Sequence, residues 1–236
     1  MNYINSINSH IWCMEYVMPV TIPIVTIPIL DILLCRMISN RARWAQLHTS
    51  VNIIITGIIF SDVWRYYNEL FAGIVDKQSN IDNYFIIVLH IYHCIFFKNL
   101  STLDYFHHAV FVLTGVVPCT FLLKSNISRF LTFTGCGLPG IIEYGSLAAM
   151  KNGLLTPIRQ KQVNSYMYAY LRNPLAIFNV TFIYMAYRYY LLSHECAPII
   201  IYIMLLSYFN GTFYNQLTIE NYRDTYWKIR IDNHAF

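Results

Sequence analysis

Glu143 is the first candidate for chemistry in this sequence, because it is the only charged residue in the apolar segment 131–150. An ionisable group near the centre of a bilayer costs about 2.5–3.5 kcal/mol on insertion scales, so such groups usually face the protein interior. Three glycines and a proline precede it and favour a kinked, closely packed helix: Gly135, Gly137, Pro139 and Gly140. Two interpretations are open: a structural carboxyl group bonded to another helix, and a member of a functional site.

Histidines form a second group of candidates, again within or beside apolar runs. His90 and His93 are three residues apart and share one face of a helix. His107 and His108 open the next apolar run, and His48 lies near the start of an earlier one. This pattern superficially resembles the histidine boxes of di-iron membrane oxidoreductases, which hold many more histidines. Because His107 and His108 point about 100° apart on a helix, we expect no metal site and keep a metal-dependent oxidoreductase as the less favoured alternative.

Composition indicates a membrane protein and not a soluble one. Of the 236 residues, 12% are charged and 56% are hydrophobic, whereas soluble domains carry about 25% charged residues. The 16 Lys and Arg residues are dispersed and form no basic stripe, so we expect no nucleic-acid partner. The six cysteines show no C-x-x-C spacing, which favours buried thiols over ligands.

Apolar intervals free of charge predict an all-α, multi-pass transmembrane bundle of about seven helices. A spanning helix needs about 20 mostly apolar residues, and lipid permits only helices or closed barrels. The intervals lack the period-two alternation of barrel strands. The predicted spans are approximately 11–34, 46–64, 84–97, 106–123, 130–149, 174–192 and 197–213.

The distribution of basic residues predicts the orientation of these spans. With the N-terminus outside, eleven Lys and Arg residues fall in the inner segments and five in the outer ones. The positive-inside rule then favours a lumenal N-terminus and a cytosolic C-terminus. In this arrangement the candidate residues all fall in the cytosolic half of the domain. We therefore expect His108, Glu143 and at least one of His90 and His93 to line one interior cavity.

Five landmarks occur in a characteristic order: Arg43-Trp44 followed by His48, Tyr84-Phe85, the run from Asp104 to His108, Glu143 with Ser146, and the stretch from Phe178 to Arg188. Their order and spacing resemble the TLC domain (TRAM, LAG1 and CLN8 homology) of multi-pass endomembrane proteins. The HD-x-x-D cluster of ceramide synthases is absent, and Val88 stands where many members carry an intramembrane Asp. The chain is therefore more similar to the small TLCD and CLN8-like members than to ceramide synthases.

The resemblance covers about residues 43–215 and sets the predicted domain boundaries. Residues 1–42 are an N-terminal segment with the first transmembrane helix, 43–215 a TLC-like transmembrane domain, and 216–236 a cytosolic C-terminal tail. The family implies a ring of helices around a lipid-accommodating cavity, in the endoplasmic reticulum or a related endomembrane. It implies membrane lipids as partners and a role in lipid metabolism or membrane lipid composition.

By analogy with ceramide synthases, the resemblance also implies acyl transfer onto a lipid amine or alcohol. His107, His108 and Glu143 would then be catalytic, because a desolvated imidazole acts as base or nucleophile and a carboxylate orients it. His48, His90 and His93 would line the substrate cavity.

Four basic residues at the predicted cytosolic mouth would attract the phosphates of acyl-CoA as a co-substrate: Lys151, Arg159, Lys161 and Arg172. Ordinary positive-inside bias explains the same residues. No resident cofactor is expected. The competing function is non-enzymatic lipid binding, transport or regulation, in which polar side chains bond one helix to another. Loss of the HD-x-x-D cluster favours this alternative slightly.

Overall fold

The computed structural model describes residues 17–72, 74, 80–98, 100–122, 126–188 and 197–234. Across these residues the chain forms seven continuous helices and no strand, which confirms the predicted all-α fold class. The helices are α1 (Met18–Met37), α2 (Arg43–Phe71), α3 (Ile81–Phe96), α4 (Thr102–Leu122), α5 (126–151), α6 (157–188) and α7 (Ala197–His234).

Each predicted span falls largely within one of these helices. Among the described residues, α1, α2, α4 and α7 are long and apolar enough to cross a membrane, and α3 is a shorter apolar helix. Residues 11–16 of the first predicted span, residue 123 of the fourth and residues 189–192 of the sixth lie outside the described residues. The predicted boundary at 215 falls inside α7, which continues without interruption to His234.

Local sequence signals fix where two helices begin. At the start of α4, Ser101 and Asp104 form a capping box, in which the Asp104 carboxylate accepts from the Ser101 backbone N–H at 2.8 Å. At the start of α6, the Thr156 side chain accepts from the Arg159 backbone N–H. Pro157 follows at the first helical position, where a missing N–H breaks no hydrogen bond.

Three helices contain π-helical segments, in which backbone bonds run from residue i to i+5 and each turn is wider. They are His108–Val116 in α4, Phe133–Gly137 in α5 and Tyr168–Arg172 in α6. Such segments occur frequently at functional sites. Each of the three contributes at least one side chain to the cavities described below.

The core follows one face of α2. Leu47, Val51, Ile55 and Ile59 recur every four residues and are fully buried, as expected for the inward stripe of a helix. α2 packs against α5, and α6 packs against α7. The most deeply buried side chains therefore lie at the centre of the bundle, next to the candidate site described below.

A buried carboxylate ties α1 to the rest of the bundle. Asp31 is 2% exposed, and it accepts from Arg43 Nε at 2.9 Å and from the Tyr92 hydroxyl at 2.7 Å. Because Arg43 begins α2 and Tyr92 lies near the end of α3, this carboxylate joins three helices. The junction lies at the end of the bundle that holds the candidate site.

A second buried polar cluster lies at the opposite end of the bundle. Asp82 is fully buried at the start of α3 and lies 3.6 Å from Arg129 Nε. Arg129 also donates to the Tyr66 hydroxyl at 2.8 Å. Arg129 is one of the five basic residues of the predicted outer segments, but the structure places it inside α5, where it is 7% exposed.

Candidate functional site

One cavity of about 300 Å³ brings together most of the predicted site residues. It lies between the start of α2, the end of α3, the start of α4 and the adjoining parts of α5, α6 and α7. Eight predicted residues line it: His48, His90, His93, His107, His108, Glu143, Lys161 and Arg172. We call this space the polar cavity.

The five histidines of the polar cavity form one connected cluster of rings. The ring centroid of His90 lies 5.6 Å from that of His48, 5.4 Å from that of His107 and 5.0 Å from that of His108. His93 lies 5.5 Å from His48 and 5.2 Å from His108. His90 and His108 each contact three of the other four rings and are therefore central to the cluster.

Two histidine rings are hydrogen-bonded to groups that can act only as an acceptor or only as a donor. These bonds determine which nitrogen of each ring carries the proton. The Ile86 carbonyl can only accept, so His90 Nδ1, at 2.7 Å, carries a proton, and the neutral ring keeps a lone pair on Nε2. Trp44 Nε1 can only donate, so His93 Nδ1, at 3.1 Å, is the acceptor. Neutral His93 therefore carries its proton on Nε2. Of these two rings, His90 is the one whose Nε2 can accept a proton from a bound molecule.

The remaining three histidines have different surroundings. His107 Nδ1 lies 3.3 Å from the Tyr214 hydroxyl, and His108 Nδ1 lies 3.2 Å from the Cys94 thiol. His48 Nε2 is buried and has no hydrogen-bond partner among the described residues. A buried, unsatisfied ring nitrogen in a cavity wall is a place where the polar atom of a ligand can bind. No group of three or more His, Cys, Asp or Glu side chains within the described ranges could hold a metal ion.

Glu143 is bonded to an arginine and a tyrosine. Arg172 Nη1 donates to Glu143 Oε2 at 2.9 Å, and the Tyr168 hydroxyl lies 2.9 Å from both carboxylate oxygens. Arg172 Nη1 also donates to the Tyr168 hydroxyl at 2.8 Å. No hydrogen bond among the described residues joins Glu143 to a histidine. The expected arrangement, in which this carboxylate orients His107 or His108, is therefore not seen.

The four predicted phosphate-binding residues separate into two pairs. Lys161 and Arg172 line the polar cavity, but the charge of Arg172 is balanced by Glu143. Lys161 Nζ donates to Asn221 Oδ1 at 2.7 Å and to Thr225 Oγ1 at 2.6 Å, so it bridges α6 and α7. Lys151 and Arg159 are exposed and do not line the cavity.

Several lining residues were not predicted as site residues, above all three tyrosines: Tyr144, Tyr168 and Tyr214. Tyr168 and Arg172 are one helical turn apart, so their spacing was a usable signal. The reasoning from apolar runs did not use it, because the polar segment 151–173 lies between two predicted spans. The Thr156-Pro157 pair is a helix-start signature that argued against a loop.

A second cavity of about 130 Å³ adjoins the first and is mainly apolar. Its wall includes Phe111, Val112, Leu131, Ile203 and Leu206. Three residues line both cavities: His90, His107 and Arg172. We call this second space the apolar cavity. The histidine cluster therefore lies at the junction of a polar space and an apolar one.

Comparisons with known proteins leave this site to be interpreted from its own geometry. No protein-family model matches the chain, and neither curated proteins nor solved structures give a significant match. The similarity to TLC domains therefore stays a prediction from the order and spacing of its landmarks.

Proposed function

We propose that this chain is a multi-pass membrane protein of the TLC type, with seven spanning helices, a lumenal N-terminus and a cytosolic C-terminus. Four helices long and apolar enough to cross a membrane support this. The outer surface of α1 is apolar as well, since Ile24, Val25, Ile29 and Ile32 are each more than half exposed. A surface of that kind suits contact with lipid. The endoplasmic reticulum or a related endomembrane is proposed from the family resemblance.

Within that membrane domain, the two adjoining cavities form the site of a lipid with a polar head and an apolar chain. The single observation that supports this proposal is that His90, His107 and Arg172 line both cavities. A head group in the polar cavity would contact imidazoles and tyrosines. The chain would leave past His90 and His107 to lie against the apolar side chains of the second space. Ligand sites commonly combine an apolar wall with a few polar groups that orient the ligand.

The favoured activity is acyl transfer onto an amine or hydroxyl of that lipid, with acyl-CoA as the donor. His90 Nε2 takes the proton of the attacking amine or hydroxyl group as it adds to the acyl carbonyl carbon. Tyr144 and Tyr214 line the same cavity, and their hydroxyl groups would donate to the carbonyl oxygen as negative charge develops there. The bond to the carrier sulfur then breaks, and the protonated ring returns its proton to the leaving thiolate.

Lys161 provides the cation nearest to a bound acyl-CoA, because it lines the polar cavity and its charge has no acidic partner among the described residues. The exposed Lys151 and Arg159 carry charge on the same side of the proposed membrane domain. The role of the four basic residues is thus divided. Lys161 contacts the donor, whereas Arg172 holds Glu143 in place.

Lipid binding without catalysis is the second candidate function, and one observation favours it. The Glu143 carboxylate is bonded to Arg172 and Tyr168, so it does not activate a histidine. A cluster of neutral imidazoles would then bind a head group by hydrogen bonds alone. Such a protein would carry or sense a lipid and would form no new covalent bond.

One experiment separates the two functions. The full-length protein is purified into phosphatidylcholine nanodiscs with radiolabelled palmitoyl-CoA and, as acceptor probes, hexadecylamine or hexadecanol. Acyl transfer predicts labelled amide or ester from the wild type. His90→Gln should lower that rate by about 10²–10⁴-fold, because glutamine can still donate to the Ile86 carbonyl but cannot accept a proton.

The matched control is Gly57→Ala, whose new Cβ would meet no atom within 4 Å and lies away from the site. It should keep the wild-type rate. Retention of the probe without product would support the binding function instead. A wild type that neither transfers the label nor retains either probe would contradict both functions.

A further inference from the structure

A thiol–imidazole pair lies at the edge of the polar cavity and is not used by the proposed reaction. Cys94 Sγ lies 3.2 Å from His108 Nδ1. His108 is part of the cavity wall, while Cys94 is exposed on the outside of the bundle. The expectation that the cysteines are buried is wrong at this position. When His108 Nδ1 is unprotonated, the Cys94 thiol donates to it, which is the geometry of a nucleophile beside its base.

The surroundings of Cys94 indicate what kind of molecule could reach it. Cys94 lies two residues before the end of α3, and Ile91 and Ile95 are on nearby positions of the same helix surface. These two isoleucines are 54% and 66% exposed. The thiol is therefore placed in an apolar surface at the end of a proposed spanning helix. An acyl chain in the membrane can lie along this surface with its carbonyl group close to the sulfur.

Comparison with the other described cysteines shows that this pairing is specific. Cys35 is half-buried, and its thiol lies 3.7 Å from the Asp31 carboxylate. A carboxylate is a much weaker base than an imidazole, so it does not activate this thiol in the same way. Cys119 and Cys136 line the apolar cavity and have no hydrogen bond among those found for the described residues. Among the described cysteines, Cys94 alone is both exposed and next to an imidazole.

We infer that Cys94 is a self-acylation site, at which the protein accepts a long-chain acyl group from an acyl thioester with His108 as the base. The Cys94 proton moves to His108 Nδ1, and the thiolate adds to the acyl carbonyl carbon. The bond between that carbon and the carrier sulfur breaks, and the carrier thiolate takes the proton back from His108. The products are a Cys94 thioester and the free carrier thiol, so no oxidant or reductant is needed. This goes beyond the proposed lipid acylation, because it requires no lipid acceptor.

The test uses full-length protein in phosphatidylcholine nanodiscs with an alkyne-tagged palmitoyl-CoA. We expect a label that neutral hydroxylamine removes, and peptide mass spectrometry should place it on Cys94. Cys94→Ser should abolish the label at this position. Cys35→Ser is the matched control and should keep it, because Cys35 has no imidazole partner. The folded wild type should also label at least about tenfold faster than the same protein denatured in detergent, in keeping with general-base catalysis.

The role of His108 needs a measurement that a structural role would not change. His108→Gly should slow labelling about 10²-fold or more, and free imidazole added to the solution should restore much of the rate. Size-exclusion profiles and melting curves of each variant show whether it is folded. Labelling that matches the denatured rate, a label on another residue, or no imidazole rescue in a folded variant would overturn the inference. Lipid product measured in the same samples reports separately on the proposed function, since either reaction can fail without the other.

Discussion

Glu143 and Arg172 balance each other's charge inside the polar cavity, and this changes what a substitution at Glu143 should do. If Glu143 served only as an acid or a base, Glu143→Gln would preserve folding while abolishing function. The structure shows Arg172 at 2.9 Å from the carboxylate, with side-chain exposures of 10% and 22% for the arginine and the glutamate. Removing one partner of a buried pair leaves the other charge uncompensated and costs up to about 3–5 kcal/mol. We therefore predict that Glu143→Gln lowers the melting temperature in detergent.

The double variant Glu143→Gln, Arg172→Gln provides the control for this prediction. It removes both charges while keeping polar side chains that can bond to Tyr168. We expect it to melt closer to the wild type than either single variant does, which is the signature of a coupled pair. A Glu143→Gln protein with the melting temperature of the wild type would show that the pair contributes little to stability.

Charge and polarity in an apolar run carry a high energetic cost, and this signal pointed to residues that line the polar cavity. His90, His93 and Glu143 were found in this way, and the structure places all three in one cavity. Their partners were not found. Nothing in the sequence links Trp44 to His93, which is 49 positions away, because a contact of that kind depends on how two helices pack.

At the scale of the helices, Gly211 lies at a close approach between α6 and α7. A Cβ at this position would lie 2.5 Å from the Cβ of Ala176, an atom fixed to the backbone that cannot move aside. We predict that Gly211→Ala pushes the two helices apart and destabilises the fold by about 1–3 kcal/mol, the usual cost of overpacking. Melting curves of the purified protein measure this.

A reciprocal exchange tests whether the cause is the contact itself. The double variant Gly211→Ala, Ala176→Gly moves the methyl group from one helix to the other and should recover part of the lost stability. Gly57→Ala is the control, because its added methyl group meets no atom within 4 Å. It should be neutral or slightly stabilising, since alanine is the better helix former. Equal losses of stability in Gly211→Ala and Gly57→Ala would contradict the proposed contact.

Apolar runs in the sequence predict some helical segments of this protein but not others. That reasoning finds the spans, because each is an uninterrupted interval with few charges. It does not find segments such as 157–173 or 216–234, which are helical in the structure but polar in sequence. Their helicity depends on capping by Thr156 and on bonds such as that from Gln216 Nε2 to Glu220 Oε1 at 3.0 Å. The π-helical segments have no simple sequence signature and were not predicted.

At the scale of the whole molecule, the number of helices that cross the membrane decides the orientation of the site. If all seven helices cross the membrane, as we propose, the two termini lie on opposite sides, and the positive-inside rule predicts that the side with more basic residues is cytosolic. The polar cavity, formed by the start of α2 and α4 and the end of α3, would then open toward the cytosol. Acyl-CoA is a soluble donor and would reach the site from that side.

We predict that a tag at the N-terminus is lumenal and a tag at the C-terminus is cytosolic, as read by antibody access in selectively permeabilised cells. α3 is the helix on which this outcome depends most. Its 16 residues span about 24 Å at about 1.5 Å each, less than the hydrocarbon core of about 30 Å. If α3 does not cross, both tags will appear on one side of the membrane. That outcome would contradict the proposed seven crossings, but it would leave the ring contacts of His90 and His93 with His107 and His108 unchanged.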